Sequence, residues 1–211
     1  MPGGNDAVAT PILVFARAPV PGQVKSRLAE SVGAVRAATL YDAWMEAAVT
    51  VAVGARLGPV TLYCAPDPSH PRFREIARRH GVGLAAQEGA DLGERMHRAL
   101  ATALAGAGAA ILIGTDCPSL DTGYLRQAAR LLADRSAPVV IGPARDGGYV
   151  LLGASRLDPA LFLEVPWGGP RVLETTRARL TTLGWTWREL APLQDMDRPE
   201  DLAFLESRPH G

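Results

Sequence analysis

The sequence predicts an α/β fold, a three-layer sandwich in which helices cover both faces of a mostly parallel mixed sheet. Short apolar runs alternate with longer segments of helical periodicity along the chain. The apolar runs lack polar alternation, which is typical of strands buried on both faces. We expect one domain over residues 1–211, with residues 1–10 flexible, because no linker, repeat or charge block divides the chain.

Five apolar runs are the predicted strands, at 12–16, 59–63, 109–113, 138–142 and 149–153. Two sets of apolar residues at helical spacing predict helices between these strands. The first set is Leu40, Trp44, Ala47 and Val51, and the second is Leu92, Met96, Leu100 and Leu104. Only residues 143–148 join the last two strands, so these strands are expected to form an antiparallel hairpin. A loop at 165–170, a helix from about Arg171, a strand near 185–190 and a short helix from about Pro199 should follow.

Composition excludes several classes of function. Lys plus Arg is 22 and Asp plus Glu is 22, so the net charge of zero argues against nucleic acid as a partner. The longest uncharged run, 99–115, is shorter than the roughly 20 apolar residues of a membrane span. The first residues lack a basic segment, so we expect no membrane partner and a cytoplasmic location. Two cysteines without CxxC spacing and four scattered histidines argue against a disulfide scaffold or a zinc site.

The loop after the first strand contains Lys25, the only lysine of the chain, close to Gly22 and Arg27. Ligands of such sheets bind at the carboxyl ends of the strands. A compact ammonium group is suited to phosphate, so this loop is a candidate anion site. The alternative is a solvated basic loop without a ligand.

Asp116 follows the run at 109–113 and should therefore lie at the same edge of the sheet. One or two carboxylates, water and substrate phosphate make a typical Mg²⁺ site. The alternative for Asp116 is a turn or a helix cap. Its neighbour Cys117 is more simply a packed thiol than a nucleophile, because no histidine is placed by the sequence to activate it.

Three further segments carry candidate site residues, each with a structural alternative. Asp146, Gly147, Gly148 and Tyr149 form either a plain hairpin turn or a backbone that a substrate approaches closely. Asp195 and Asp197 alternate on an extended segment and are either helix-capping acids or a second metal carboxylate. Asp91 and Glu94 have the spacing of a capping box, and the helix they begin, with Arg95, could also meet a nucleotide.

The order of these motifs along the chain resembles a known family. PGQVKSRL, GADLGERM, GTDCPSL, GPARDGGYVLLG, VPWGGPRVLETT and QDMDRPEDL, between about Ile12 and Leu205, resemble bacterial GT-A-fold transferases known as arsenosugar-biosynthesis glycosyltransferases or nucleotide-diphospho-sugar transferase-like proteins. GTDCP and DGGY are the most specific of them. More distantly, KSRL, Asp116 and DMDRPEDL are similar to 2-phospho-lactate guanylyltransferase and the sugar nucleotidyltransferases.

The resemblance implies roles for five of the candidate residues. Asp116 and Asp197 would hold Mg²⁺ or Mn²⁺, with Asp195 as a substitute for Asp197, and Lys25 and Arg27 would meet the donor phosphates. Independently of the resemblance, we also expect nucleotide or substrate contacts at Gly22, Asp91, Arg95, Gly147, Gly148, Tyr149 and Trp167. Two departures stand out: the first loop has one glycine where nucleotidyltransferases have a Gly-rich loop, and Pro118 reduces the usual Asp-x-Asp pair to Asp116.

The function expected from these features is transfer of a glycosyl group from a nucleotide-diphosphate sugar to a small-molecule acceptor, with Lys25 and a divalent ion stabilising the leaving diphosphate. Asp146 would orient the acceptor hydroxyl or act as its general base. One alternative is a nucleotidyltransferase of guanylyl or cytidylyl type that uses a nucleoside triphosphate. The other is a nucleotide-binding protein without catalysis.

Overall fold

A computed structural model describes residues 9–197 and 199–201 of the chain. Its strands are β1 (Ile12–Arg17), β2 (Val60–Ala65), β3 (Gly83–Ala86), β4 (Ala110–Ile113), β5 (Val139–Pro143), β6 (Tyr149–Ala154) and β7 (Trp187–Glu189). Its helices are α1 (Ser26–Val32), α2 (Ala34–Ala55), α3 (Pro71–His80), α4 (Leu92–Leu104), α5 (Thr122–Ala133) and α6 (Val172–Thr182), with a short 3₁₀ helix at Pro159–Leu161.

The strands form one sheet in the order β3-β2-β1-β4-β6-β5-β7. β6 is antiparallel to both of its neighbours, β4 and β5, and the other pairs are parallel. The predicted mostly parallel mixed sheet is therefore confirmed, and so is the predicted antiparallel hairpin. Because β6 runs backwards, the turn between β5 and β6 lies at the edge where β1 and β4 end.

Helices cover both faces of the sheet, as the apolar strands predict. Alternate residues of β1 enter different cores: Ile12 and Val14 pack with α2, α3 and α5, whereas Leu13 and Phe15 pack with α4 and α6. No helix among the described residues is both long and apolar enough to cross a membrane.

The predicted apolar stripe of α2 has the wrong phase. Only Trp44 of that stripe is buried, and Ala47 is exposed. The buried face instead carries Tyr41, Met45 and Val49 with several alanines, which are too small and too frequent in this helix to mark one face.

Four elements have no counterpart among the predicted ones, namely α1, α3, α5 and the edge strand β3. Half of the ten residues of α3 are Arg or Glu, and α3 buries only Phe73 and Ile76. β3 reads GLAA and has no buried position. The predicted final helix is helical at 199–201, and its remaining residues lie outside the described part of the chain, as do residues 1–8 of the segment expected to be flexible.

An ion-pair cluster on Glu46 joins α2 to α3, with Arg72, Arg79 and His80 as its partners. Partial burial raises the pKa of Glu46, but hydrogen bonds from these three residues outweigh burial and lower the pKa from 4.5 to about 2. Since the pKa is depressed in the folded state, the stabilisation is present above pH 4.5 and is lost as the pH falls toward 2.

We expect Glu46→Gln to lower the free energy of unfolding by about 1–2 kcal/mol at pH 7, after allowance for solvent screening. The difference from the parent protein should shrink toward zero near pH 2, and urea unfolding at the two pH values measures it. Glu164→Gln is the matched control, because the Glu164 side chain is 88% exposed and pairs with Arg179 alone among the described residues. A Glu46→Gln effect that does not change with pH would contradict this assignment.

Candidate active site

A cleft of about 460 Å³ lies at the edge of the sheet where β1 and β4 end. The turn between β5 and β6 and the loop that carries Trp167 form its opposite wall. The side chains of Lys25, Asp116, Asp146 and Asp197 all line this cleft. The sheet topology therefore brings together residues that are up to 172 positions apart in the sequence.

The Lys25 ammonium group lies between two carboxylates. Lys25 Nζ is 3.0 Å from Asp116 Oδ2 and 3.7 Å from Asp197 Oδ1, and the lysine side chain is 5% exposed. The ammonium also lies 5.9 Å from the centre of the Trp44 ring. Lys25 directly precedes α1, and its backbone is in the left-handed helical conformation, with φ 51° and ψ 47°. The alternative of a solvated basic loop is wrong for this side chain.

Asp116 does not cap a helix. The cap of α5 is Asp121, whose Oδ1 accepts a hydrogen bond of 2.8 Å from the Tyr124 N–H. Asp116 Oδ1 is buried and has no hydrogen-bond partner among the residues that the structure describes. A buried carboxylate oxygen without a donor is expensive unless a ligand completes it.

Met196 holds the segment that carries Asp197. Its N–H donates to the backbone oxygen of Asp116 over 2.7 Å, and its side chain is buried against Leu28 and Trp44. Arg27 donates from Nη1 to Asp197 Oδ2 over 2.7 Å. This anchoring places the two acids beside one lysine.

Asp195 lines a second cavity of about 310 Å³, which adjoins the cleft and is also lined by Arg27, Arg145, Asp146 and Asp197. Burial, with a smaller contribution from the charge of Asp146, raises the pKa of Asp195 to about 6. Asp195 Oδ1 has no hydrogen-bond partner in the described part of the chain. Asp195 and Asp197 thus face the same cavity, and of the two Asp197 is the one that pairs with Lys25.

The Asp146–Tyr149 turn is fixed by its own backbone and by the next loop. Asp146 Oδ1 accepts a hydrogen bond of 2.8 Å from the Gly148 N–H. Gly147 has φ +95, and its carbonyl accepts from the Leu173 N–H over 2.9 Å. A Cβ on Gly147 would lie 2.0 Å from the Pro170 carbonyl oxygen. The turn is therefore both the structural hairpin and a wall of the cleft.

Trp167 lies across the start of α4. A Cβ on Gly93 would lie 2.8 Å from Trp167 Cζ2, so the indole needs the glycine at this position. Tyr149 meets the Trp167 ring edge to face at 6.4 Å, and burial raises the pKa of its hydroxyl. Both aromatic residues line the cleft, as Gly148 does.

Four predicted contacts lie outside the lining of both cavities: Gly22, Asp91, Arg95 and Gly147. Asp91 caps α4, accepting a 2.8 Å hydrogen bond from the Glu94 N–H, and Arg95 Nε donates to the Gly89 carbonyl over 3.0 Å. The capping alternative therefore accounts for Asp91. Contact of these four residues with a nucleotide stays a prediction.

Two residues that the sequence did not predict hold the floor of the cleft, Tyr41 and Gln87. The Tyr41 hydroxyl accepts hydrogen bonds from the Arg17 N–H at 2.8 Å and from Thr115 Oγ1 at 3.1 Å, linking the ends of β1 and β4. Burial and the Asp116 charge raise the pKa of Tyr41 to about 12. Gln87 Nε2 donates to the carbonyls of Ala16 and Tyr63 at 3.0 and 2.9 Å.

The residues present suit a hard divalent ion. Within residues 9–197 and 199–201, no group of three or more His, Cys, Asp or Glu residues could hold a metal. Mg²⁺, however, needs only one or two carboxylates when water and substrate phosphate complete its shell. Asp116, with its unpartnered Oδ1, and Asp197 supply such a pair.

Comparisons with known proteins agree with this architecture. A family model described as "Uncharacterized protein conserved in bacteria (DUF2064)" matches residues 48–169. A provisionally identified nucleotide-diphospho-sugar transferase from Desulfovibrio desulfuricans has 29% sequence identity and a TM-score of 0.85, over 94% of this chain and 86% of that chain. No curated protein matches the sequence.

Two further solved structures share the fold at lower identity. A nucleotidyl transferase from Methanothermobacter thermautotrophicus has 16% identity and a TM-score of 0.59, over 93% of this chain and 95% of that chain. A manganese complex of a Mycobacterium tuberculosis protein has 17% identity and a TM-score of 0.51, over 95% of this chain and 100% of that chain. At these identities the likeness concerns the fold alone.

Proposed function

We propose that this chain, which belongs to the bacterial family described as DUF2064, transfers a glycosyl group from a nucleotide-diphosphate sugar to a small-molecule acceptor. The observation that carries the proposal is the meeting of Lys25, Asp116 and Asp197 in one cleft at the carboxyl ends of the strands. Similarity to the provisionally identified transferase of Desulfovibrio desulfuricans supports the same class of donor.

The cationic side chains of the cleft would bind the donor diphosphate. Lys25 and the exposed Arg17 line the cleft, and Arg27 lines the adjoining cavity. Their positive charges stabilise the negative charge that develops on the leaving diphosphate, and this lowers the barrier to its departure. Asp116 and Asp197 would hold Mg²⁺ or Mn²⁺, and the bound ion supplies Lewis-acid stabilisation of the same leaving group.

The acceptor would bind in the second cavity, because Asp146 lines both cavities and so lies between the two substrates. The Gly148 N–H holds Asp146 Oδ1, which leaves Oδ2 to accept the proton of an acceptor hydroxyl. Arg145 and Asp195 line the acceptor side of this cavity and would orient polar groups of the acceptor.

The identity of the released product tests the proposal. The purified protein is incubated with Mg²⁺ or Mn²⁺, a panel of nucleotide-diphosphate sugars or nucleoside triphosphates, and a mixture of small hydroxylated and phosphorylated acceptors. We expect release of a nucleoside diphosphate from one of the sugar donors. Pyrophosphate from a triphosphate would instead show the nucleotidyl transfer found in a structural neighbour. Nucleotide binding without turnover, unchanged in Asp116→Ala, would show a non-catalytic binding protein.

A further inference from the structure

We propose that Lys25 is a built-in counter-cation that competes with a divalent ion for Asp116 and Asp197. This inference rests on the metal site of the proposed function and extends it. It assigns the lysine two alternating partners, the acid pair when no ion is bound and the substrate phosphates when one is. Lys25 thereby offsets one of the two negative charges when no ion is bound.

The first support is the position of the ammonium. Lys25 Nζ contacts one oxygen of each acid, at 3.0 Å from Asp116 and 3.7 Å from Asp197, so it takes the central place between them. An ammonium has three donors and no acceptor, which suits a site walled by carboxylate oxygens. A dication held by the same two acids would compete with the ammonium for their negative charge.

The second support is how the chain brings the lysine there. Lys25 has the left-handed backbone conformation, φ 51 and ψ 47, which residues other than glycine seldom adopt. Its side chain is nevertheless almost completely buried, at 5% exposure. No other lysine occurs in the chain, whereas 21 arginines do. A compact ammonium, unlike a broad guanidinium, can enter and leave a site of ionic size.

The charges of the site predict that Lys25 weakens the binding of a divalent ion when no phosphate is present. Asp116 and Asp197 carry two negative charges, of which Lys25 offsets one and Arg27, at 2.7 Å from Asp197, offsets the other. A dication then meets a weaker field and the repulsion of the ammonium. Phosphates that enter with the ion offer Lys25 another partner, so metal affinity should be low for the protein alone.

Binding of Mn²⁺ to the metal-free protein alone, measured by electron paramagnetic resonance, tests the competition. We expect Lys25→Met to bind Mn²⁺ at least tenfold more tightly than the parent protein. The double variant Lys25→Met/Asp116→Asn should lose this gain. Glu30→Gln, an exposed carboxylate of α1 outside both cavities, is the matched control and should bind like the parent. Equal or weaker binding by Lys25→Met overturns the inference.

A second measurement on the parent protein keeps the test decisive even where Lys25→Met does not fold. Lys25 has the only side-chain amine, so its rate of modification by an amine-specific reagent can be followed by peptide mass spectrometry with the α-amino group as internal reference. We expect saturating Mn²⁺ to raise this rate at least threefold. In Asp116→Asn/Asp197→Asn the rate should be high without metal and unchanged by it. A Lys25 rate that Mn²⁺ leaves unchanged in the parent protein overturns the inference.

These outcomes are separable from the proposed function. Release of a nucleoside diphosphate in the donor panel tests the proposed transferase activity. Mn²⁺ affinity and amine reactivity test whether Lys25 competes with the ion. A transferase whose Mn²⁺ affinity is the same in the parent and in Lys25→Met would retain the proposed function without the competition.

Discussion

Asp116→Asn should slow transfer by on the order of 10²–10³-fold while the sheet stays folded, because the change removes one charge from the centre of the cleft. Asp116 Oδ2 is 3.0 Å from Lys25 Nζ, and Asp116 Oδ1 is the buried oxygen that no described residue satisfies. The neutral amide keeps the shape of the side chain but neither pairs with the lysine nor attracts a divalent ion. The turnover number with the identified donor measures the effect.

Glu30→Gln serves as the control for Asp116→Asn, since it removes the same charge from an exposed position outside both cavities. Its turnover should stay within about twofold of the parent. Far-ultraviolet circular dichroism and urea unfolding of both variants separate loss of chemistry from loss of fold. Asp116→Asn protein that keeps more than a tenth of the parent rate would remove Asp116 from the mechanism.

Gly147→Ala should unfold or rebuild the wall of the cleft. Gly147 has φ +95, and an added Cβ would lie 2.0 Å from the Pro170 carbonyl oxygen and 2.7 Å from its carbonyl carbon. Backbone atoms cannot rotate away, so the turn and the loop at 166–170 must separate. We expect a loss of more than about 3 kcal/mol in the free energy of unfolding, from overpacking added to left-handed strain. Urea unfolding measures it.

Gly184→Ala isolates the conformational part of this loss. Gly184 also has a positive φ, +65, but no atom lies within 4 Å of the position that a Cβ would take. Its replacement should therefore cost only about 1 kcal/mol. Similar losses in the two variants would mean that contact with Pro170 does not determine the need for glycine at 147.

Much of the fold could be predicted because strand and turn signals are local. The uninterrupted apolar runs identified β1, β2, β4, β5 and β6, and the short link at 143–148 correctly required an antiparallel pair. Lys25 and Asp116 could be predicted as site residues because both follow strands at the edge where ligands of parallel sheets bind. These two side chains do meet, at 3.0 Å.

The remaining features depend on contacts that no local pattern encodes. The alanines of α2 conceal its buried face, so Tyr41, which lies on that face and links β1 to β4, gave no signal. Gln87 follows β3, an edge strand without a strongly apolar run. For Asp91 the local pattern was ambiguous, because the same spacing fits a capping box and a ligand contact. In the structure Asp91 caps α4.

The way in which Met196 anchors Asp197 affects how well this segment resists proteolysis. Asp197 belongs to a segment that docks through the buried Met196 side chain and the 2.7 Å hydrogen bond from the Met196 N–H, next to hydrogen bonds at Leu193 and Gln194. Whatever occupies the cleft and holds Asp197 must also favour the docked state, by thermodynamic linkage. Occupancy of the cleft would then protect residues 194–197 from proteases, and cleavage in this segment would weaken ligand binding.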